Sequence, residues 1–410
     1  MSQADPARPP RLCMVVHSDF PGDVRVAREV AAASDAGFDV TVIALRRDCQ
    51  PAHEQVAGAD VHRLPVSHKR GASPLQLVVE YLAFTILATL QVTKLTLRRR
   101  FDVVQVHNPP DFLIVAALTP RLRGARVVFD VHDLSSDMFA MRFPSRAGGI
   151  ATSILHAVER VATRSADLVV TVHEPYRAEL VRRGVPERKT LVVLNSLVES
   201  LLPTPVPPPR QAPFRVVYHG TVTPHYGISL LVDALPALAA RIADVRLEIY
   251  GEGDAVPALR AVAEAHGISP LLQLTGERLP HAEVLRRVAG ASVGVIPNLP
   301  TPLNRFALST KLFEYVLLGI PVVCADLPTL RAHFGEHEVA FFRAGDAESL
   351  AAELLDVAED YEAALARARS ARHRYDNSYR WDLQAATYVS ALRVLRASGG
   401  RTGRASRRAR

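Results

Sequence analysis

The chain has 410 residues, 48% of them hydrophobic and 22% charged, a length that favours two domains with separate cores and a composition that excludes a disordered or collagen-like chain. The formal net charge is +7, but the last ten residues carry five arginines and no acid. The body is therefore near neutrality, which excludes a dedicated nucleic-acid binder, because such a protein needs a basic stripe on its folded surface. Three scattered cysteines, Cys13, Cys49 and Cys324, suggest neither a disulfide framework nor a zinc site. With no apolar stretch in the opening MSQADPARPPR, they point to the cytoplasm.

Short β-rich apolar runs alternate with helical patterns, the mark of parallel α/β sheets. Strands are predicted over residues 12–17, 40–45, 103–107, 127–131, 168–172 and 191–194. Residues 75–97 form the most apolar helix. Its uncharged core runs only from Tyr81 to Thr93, between Glu80 and Lys94, too short to span a bilayer. A buried or interfacial helix fits better, and the flanks His68-Lys69-Arg70 and Arg98-Arg99-Arg100 suit anionic head groups. Leu75 through Arg100 is thus the candidate for peripheral contact with the inner face of a membrane.

The proline-rich LLPTPVPPPRQAP marks a linker over 199–213, since such a stretch fits neither sheet nor helix. The rhythm restarts with strands at 214–218, 245–250, 271–274, 293–296, 322–324 and 339–342, then turns helical from 347 to 398. The expected organisation is a first domain over 1–198 and a second over 214–375. A helix over 376–397 is placed to pack back on the first domain, and a basic disordered tail covers 398–410. Ligands of such sheets sit beyond the carboxyl ends of the strands.

In NRFALSTKLFEYVLLGIPVVCA, which starts at Asn304, Ser309 or Thr310 caps a helix carrying Lys311 and Glu314, and Gly319 ends it. Free amides at a helix start together with Lys311 suit a diphosphate, and a carboxylate one turn further can take ribose hydroxyls. A Lys/Glu pair in a first turn is commonly a solvated surface pair; the apolar run around this one argues for burial. In the first half, His107, Asn108 and Asp111 follow one strand, and His132 and Asp133 the next, where polar residues face a crevice. A structural histidine is the alternative for each. Ser292 fits a nucleophile-elbow pattern but precedes its strand, which argues against a hydrolase.

Taken together, HSDFPGDVRVAREVAAASDAGFDVTVIA, FDVVQVHNPPDFL, FDVHDL, ADLVVTVHE, YHGTVTPHYGISLLVDAL, IYGEGD and the Lys311 helix resemble, in order and spacing, the retaining GT-B glycosyltransferases of glycosyltransferase family 4. The resemblance covers residues 12–395. It implies an α/β fold of two Rossmann-like, doubly wound parallel-sheet domains facing a central cleft. It also implies transfer of a sugar, with retention, from a UDP- or GDP-linked nucleotide sugar to a glycan, glycolipid or lipid-linked acceptor, as in polysaccharide biosynthesis. No cofactor besides this co-substrate is implied, and no metal, since the chain has no Asp-x-Asp.

Residue by residue, the resemblance gives Glu314 the nucleotide ribose, and Lys311 with the amides of Leu308, Ser309 and Thr310 the donor phosphates. Gly22 would let the backbone approach the donor. Gly220, Thr221 and His225 would line the diphosphate, and Gly253 and Arg278 the base. His132, with Lys311, would be catalytic, while His107, Asn108, Asp111 and Asp133 would stand on the acceptor side. The pattern departs at Phe306, where the first Glu of an E-x7-E motif is usual. It departs again at Thr221 and Tyr226, where Arg and Lys are common, leaving His225, Lys311 and Arg305 to supply positive charge. Those departures suggest one rival, a catalytically silent nucleotide-binding or scaffold protein. A GT-B-like sugar-nucleotide epimerase is the other, and it would require catalytic carboxylates.

Overall fold

The computed structural model describes residues 8–47, 49–66, 73–142, 149–199, 202–203, 213–302 and 304–405. His68-Lys69-Arg70 and most of the proline-rich linker lie outside them. Two compact units make up the chain, one of residues 1–195 with 382–410 and one of residues 196–381.

The first unit is built on strands β1 (Arg11–Asp19), β2 (Asp39–Leu45), β3 (His53–Val56), β4 (Ala59–Leu64), β5 (Val103–His107), β6 (Arg126–Val131), β7 (Leu168–Thr171) and β8 (Thr190–Val192). Their order is β3-β4-β2-β1-β5-β6-β7-β8, parallel throughout except for β3 against β4. The order reverses between β1 and β5, where doubly wound sheets open a crevice. Among the described residues these helices connect them: α1 (Val24–Asp35), α2 (Pro74–Arg98), α3 (Leu118–Leu122), α4 (Ser135–Arg142), α5 (Ile150–Ser165) and α6 (Glu174–Arg182). β5 is buried along its whole length, as expected of a central parallel strand rich in valine.

Two features differ from the sequence reading. The β3–β4 hairpin was not predicted, because β3 is a short polar edge strand; Ala57 and Gly58 turn it with φ of 52° and 78°, the geometry of a tight two-residue hairpin. Helix α2 has 25 residues, so it is long and apolar enough to cross a membrane by length and composition. Glu80 does not interrupt it, because its carboxylate turns inward to His17, 3.0 Å away. Ser73 and Gln76 close a capping box with Pro74 in the first turn. Phe84, Ala88, Val92 and Leu95 are buried in the unit, which fixes one face of α2 against the sheet.

The second unit is a wholly parallel sheet of β9 (Phe214–His219), β10 (Val245–Tyr250), β11 (Leu272–Leu274), β12 (Val293–Ile296), β13 (Val322–Ala325) and β14 (Ala340–Phe342). The order is β11-β10-β9-β12-β13-β14, with its reversal between β9 and β12. Its helices are α7 (Ser229–Ala239), α8 (Val256–Ala265), α9 (His281–Val288), α10 (Thr310–Leu317), α11 (Pro328–His333), α12 (Ala347–Glu359) and α13 (Tyr361–Ser378). From Asp382 onward α14 (Trp381–Ala405) belongs to the first unit. Gln384 accepts from the Leu194 amide at 3.0 Å and Tyr388 donates to Gln105 at 2.6 Å. The helix continues to Ala405, past residue 398, where the sequence reading begins a tail.

Candidate active site

In the second unit, β9 ends at His219 and turns at Gly220 with a φ of 116°, a conformation glycine adopts readily. A Cβ at Gly220 would stand 2.4 Å from Cε of Lys311, so the absent side chain is what lets the lysine lie across this turn. Cβ atoms at Gly251 and Gly253 would stand 1.8 Å and 2.0 Å from the carbonyl oxygens of Gly220 and Val222. The loops after β9 and β10 thus cross in backbone contact.

Lys311 sits in the first turn of α10, and the Ser309 side chain makes no capping hydrogen bond there. The ammonium lies 5.4 Å from the Tyr218 ring centre and 5.2 Å from that of Tyr226, within cation–π range. Among the described residues no carboxylate forms an ion pair with it. Burial pushes its pKa down, with the Glu314 charge opposing. The side chain is half-buried; a partly desolvated cation without a counter-ion is costly, and a helix start offers unpaired amides beside it. Together they make a receptor for an anion.

Glu314, one turn on, is buried. Its Oε2 lies 3.0 Å from Nε2 of His219 and its Oε1 3.4 Å from Nε2 of the exposed His281. Burial alone would raise its pKa, but the His219 hydrogen bond and the nearby positive charge bring it below the usual value. Burial holds His219 low, so it stands beside that carboxylate as a neutral imidazole. Arg278 is exposed, three residues before His281. Thr221 is exposed, and His225 is half-buried with its pKa lowered by burial. At neutral pH His225 therefore supplies no full charge, which leaves Lys311 and the exposed Arg305 as the cations. The Asn304 side-chain amide donates to the carbonyls of His225 at 2.7 Å and Leu299 at 2.9 Å, tying the turn that carries Phe306 to the turn that carries Tyr226.

In the first unit, the carboxyl ends of β5 and β6 bring His107 and His132 together, 3.1 Å apart between Nδ1 and Nε2. Beneath them is Asp130, whose Oδ2 lies 3.1 Å from His107 and 3.4 Å from His132. Asp130 also pairs with Arg25. Gln105 donates to Asp130 at 3.2 Å and to Glu29 at 2.6 Å. His107 and Asp130 are fully buried, while the His132 side chain is 17% exposed. His132 is therefore the member of the cluster that a substrate can reach.

Burial would raise the Asp130 pKa, but Arg25 and the two imidazoles hold it well below the usual carboxylate range. Burial, with the Arg25 charge, pushes His132 down to about 4. It is a neutral imidazole at neutral pH. His107 goes the other way: burial lowers its pKa, but its hydrogen bond to Asp130 together with the charges of Asp130 and Glu29 outweighs that and raises it. Burial and Asp130 push Glu29 up to about 7.

Asn108 and Asp111 are buried behind this edge. Asn108 accepts from the His132 amide at 2.7 Å and donates to Asp111 at 2.8 Å and to the Asp133 carbonyl at 2.7 Å. They fix the loop that carries His132. Gly22 lies in the turn after β1, where a Cβ would stand 2.0 Å from an Asp19 carboxylate oxygen, so its immediate effect is to let that side chain fold across the turn. Nδ1 of His107, Nε2 of His132 and Oδ2 of Asp130 lie close enough together to hold a metal ion, as do the ligand atoms of His53, Asp60 and His62 on the β3–β4 hairpin. Arg25 beside Asp130 opposes a cation in the first of these.

The sequence reading missed Arg25, Glu29, Gln105, Asp130, His219, His281 and Asn304. His219 ends a parallel strand just as His107 does, so the rule that singled out His107 extends to it. Asp130 and Gln105 are polar residues inside apolar strands, a second usable signal.

Two α/β units in one chain, each built on a largely parallel sheet, are the design of the GT-B glycosyltransferases, and the chain is one of them. Residues 22–196 match the glycosyl transferase 4-like domain family and residues 213–360 the glycosyl transferases group 1 family. Over 316 residues the chain is 27% identical to a glycogen synthase of Mycobacterium tuberculosis, covering 75% of this chain and 73% of the relative. Over 187 residues it is 29% identical to a phosphatidyl-myo-inositol mannosyltransferase of Mycobacterium leprae, covering 45% and 47%. Its fold is similar to that of sucrose-phosphate synthase from Thermosynechococcus elongatus, with a TM-score of 0.71 at 17% identity over 95% of this chain and 100% of that one. It is also similar to Anabaena HepE in complex with UDP, with a TM-score of 0.68 at 16% identity over 94% and 100%.

Proposed function

We propose that the protein is a retaining, metal-independent glycosyltransferase of cytoplasmic polysaccharide or glycolipid assembly. It takes a UDP- or GDP-linked sugar in its second unit and a glycan or lipid-linked acceptor on the side of its first. The observation that carries this reading is Lys311, a half-buried ammonium with no carboxylate partner among the described residues, set beside the start of α10. The UDP bound by the HepE neighbour supports a uridine donor, and the name of the mannosyltransferase relative supports a lipid-bearing acceptor.

In this account the anomeric carbon–oxygen bond breaks with its electron pair left on the diphosphate. Lys311 and the amides of Leu308, Ser309 and Thr310 stabilise that charge, the term that does most in such reactions. The acceptor hydroxyl oxygen bonds to the anomeric carbon on the same face, and its proton passes to the departing phosphate oxygen. Glu314 holds the ribose. Gly220, Gly253, Thr221, His225 and Arg278 line the donor, and Gly22 gives it room. On the acceptor side His132, neutral and partly exposed, hydrogen-bonds the sugar hydroxyls; His107, Asn108, Asp111 and Asp133 hold it there. The test is thermal unfolding with UDP, GDP and ADP and their sugars, in the native protein and in Glu314→Ala. Ligand at a hundred times its dissociation constant adds about 2.7 kcal/mol. One nucleotide series should stabilise the native protein and not the variant; no stabilisation by any of them overturns the donor site.

A further inference from the structure

Helix α2 buries one side and leaves a row of aliphatic residues on the other. Leu75, Val79, Leu82, Ile86, Leu90 and Leu97 are 47–74% exposed and recur at the three- and four-residue spacing that puts them on one face. About 33 Å of helix separates the first from the last. Right-handed crossovers place α2, the following segment Asp111–Leu122 and α5 on the same side of the first unit's sheet. Asp111–Ala117 packs against both α2 and α5. Its continuation α3 exposes Leu118 and Leu122, and α5 exposes Ile150, Ile154 and Val161. The outer surface of these elements is therefore one broad apolar face, of a size monomeric soluble proteins rarely leave to water.

The charges on these elements are sorted by sign. All three acids, Glu80, Asp111 and Glu159, are buried. Every fully charged side chain that α2, α3 and α5 expose is basic: Lys94, Arg98, Arg121, Arg160 and Arg164. An apolar face whose own elements expose only cations among the described residues is complementary to an anionic lipid surface, where the aliphatic side chains enter the acyl boundary and the basic ones meet phosphate groups. The fixed side of α2, with Phe84, Ala88 and Val92 in the core, keeps the helix on the unit, so it lies along the interface. Its first turns also stand beside the active edge of the sheet, because Glu80 reaches His17 near the carboxyl end of β1.

We infer that the first unit docks on an anionic bilayer through the combined outer faces of α2, α3 and α5, which presents its acceptor edge to lipid-anchored substrates at the membrane surface. The docking rests on the first unit alone and does not depend on the donor assignment.

The test is co-sedimentation of the full chain with phosphatidylcholine vesicles, with and without phosphatidylglycerol. The native protein should bind the anionic vesicles and bind the neutral ones weakly. The exposed double substitution Leu82→Glu/Ile86→Glu should lower the partition coefficient at least about tenfold. Lys94→Glu/Arg98→Glu should lower binding to anionic vesicles by at least about fivefold per basic side chain and leave neutral vesicles unaffected. Both variants should keep the native melting temperature and nucleotide response, which separates docking from folding and from the donor site. The inference is overturned if the native protein ignores anionic vesicles or the variants bind as it does. It is equally overturned if light scattering shows a dimer that Leu82→Glu/Ile86→Glu dissolves while vesicle binding is absent, since a second copy would then cover the face.

Discussion

Replacing Lys311 by methionine separates its two effects, because the side chains have similar length and only one is charged. In the ligand-free protein the ammonium is half-buried beside two tyrosine rings with no carboxylate partner among the described residues, so Lys311→Met should leave stability unchanged or raise it by about 1 kcal/mol. The folded pKa lies below the unfolded 10.5. The penalty is therefore complete at pH values below the folded pKa and disappears as pH climbs through it towards 10.5. The variant's advantage should shrink over that climb. With a nucleoside diphosphate bound, the ammonium gains a charge-assisted hydrogen bond of about 1.5–3 kcal/mol, so the variant should bind UDP or GDP about ten- to a hundredfold more weakly. Titration calorimetry with the diphosphate and with the free nucleoside checks this, since only the diphosphate should lose affinity. A variant that melts several degrees lower and binds the diphosphate normally would refute the assignment and make Lys311 a structural residue.

Gly220→Ala adds a Cβ at 2.4 Å from Lys311 Cε on a backbone with φ of 116°. It should cost about 1–3 kcal/mol in denaturant unfolding and weaken diphosphate binding, with no further weakening when combined with Lys311→Met. Glu29, at about 7 in the folded chain against 4.5 unfolded, holds a proton that the unfolded chain has already released, so native stability falls as pH rises through that window. Glu29→Gln should flatten the profile between those pH values; equal slopes in urea titrations would contradict the buried network. His132→Ala should lower kcat about a hundredfold or more with diphosphate affinity unchanged, and because its pKa is near 4 the wild-type rate should show no His132 titration between pH 5 and 8. Asn108→Ala orphans the buried His132 amide and should cost about 2 kcal/mol, visible as a lower melting temperature.

The strands of both sheets were legible because valine-rich runs bounded by polar turns have few other uses, and Lys311 and Glu314 were legible because their helix was too apolar to be exposed. The β3–β4 hairpin was not, since His53-Glu54-Gln55-Val56 owes its pairing to two positive-φ turn residues rather than to apolar alternation. The extent of α2 was legible, but Glu80 looks like a charge that bounds its apolar core until His17 is found beside it. Arg25 and Glu29 carry no signal of their own on α1, because only the partner Asp130, about a hundred residues away in sequence, turns them inward. His281 carries no sequence signal, since its link to Glu314 depends on how the loop after β11 folds.

The central claim is that a nucleotide sugar is consumed at the Lys311–Glu314 site and its sugar passed to an acceptor. Proton NMR of the purified full chain with single nucleotide sugars, supplied with anionic vesicles carrying lipid-linked and glycolipid acceptors, follows donor loss, nucleoside diphosphate release and the new anomeric signal together. The account predicts turnover of one UDP- or GDP-linked series, a product with the donor's anomeric configuration, no effect of chelators, and loss of turnover in both Lys311→Met and Glu314→Ala. Turnover that survives both substitutions would contradict it, as would a folded protein that neither binds nor consumes any donor.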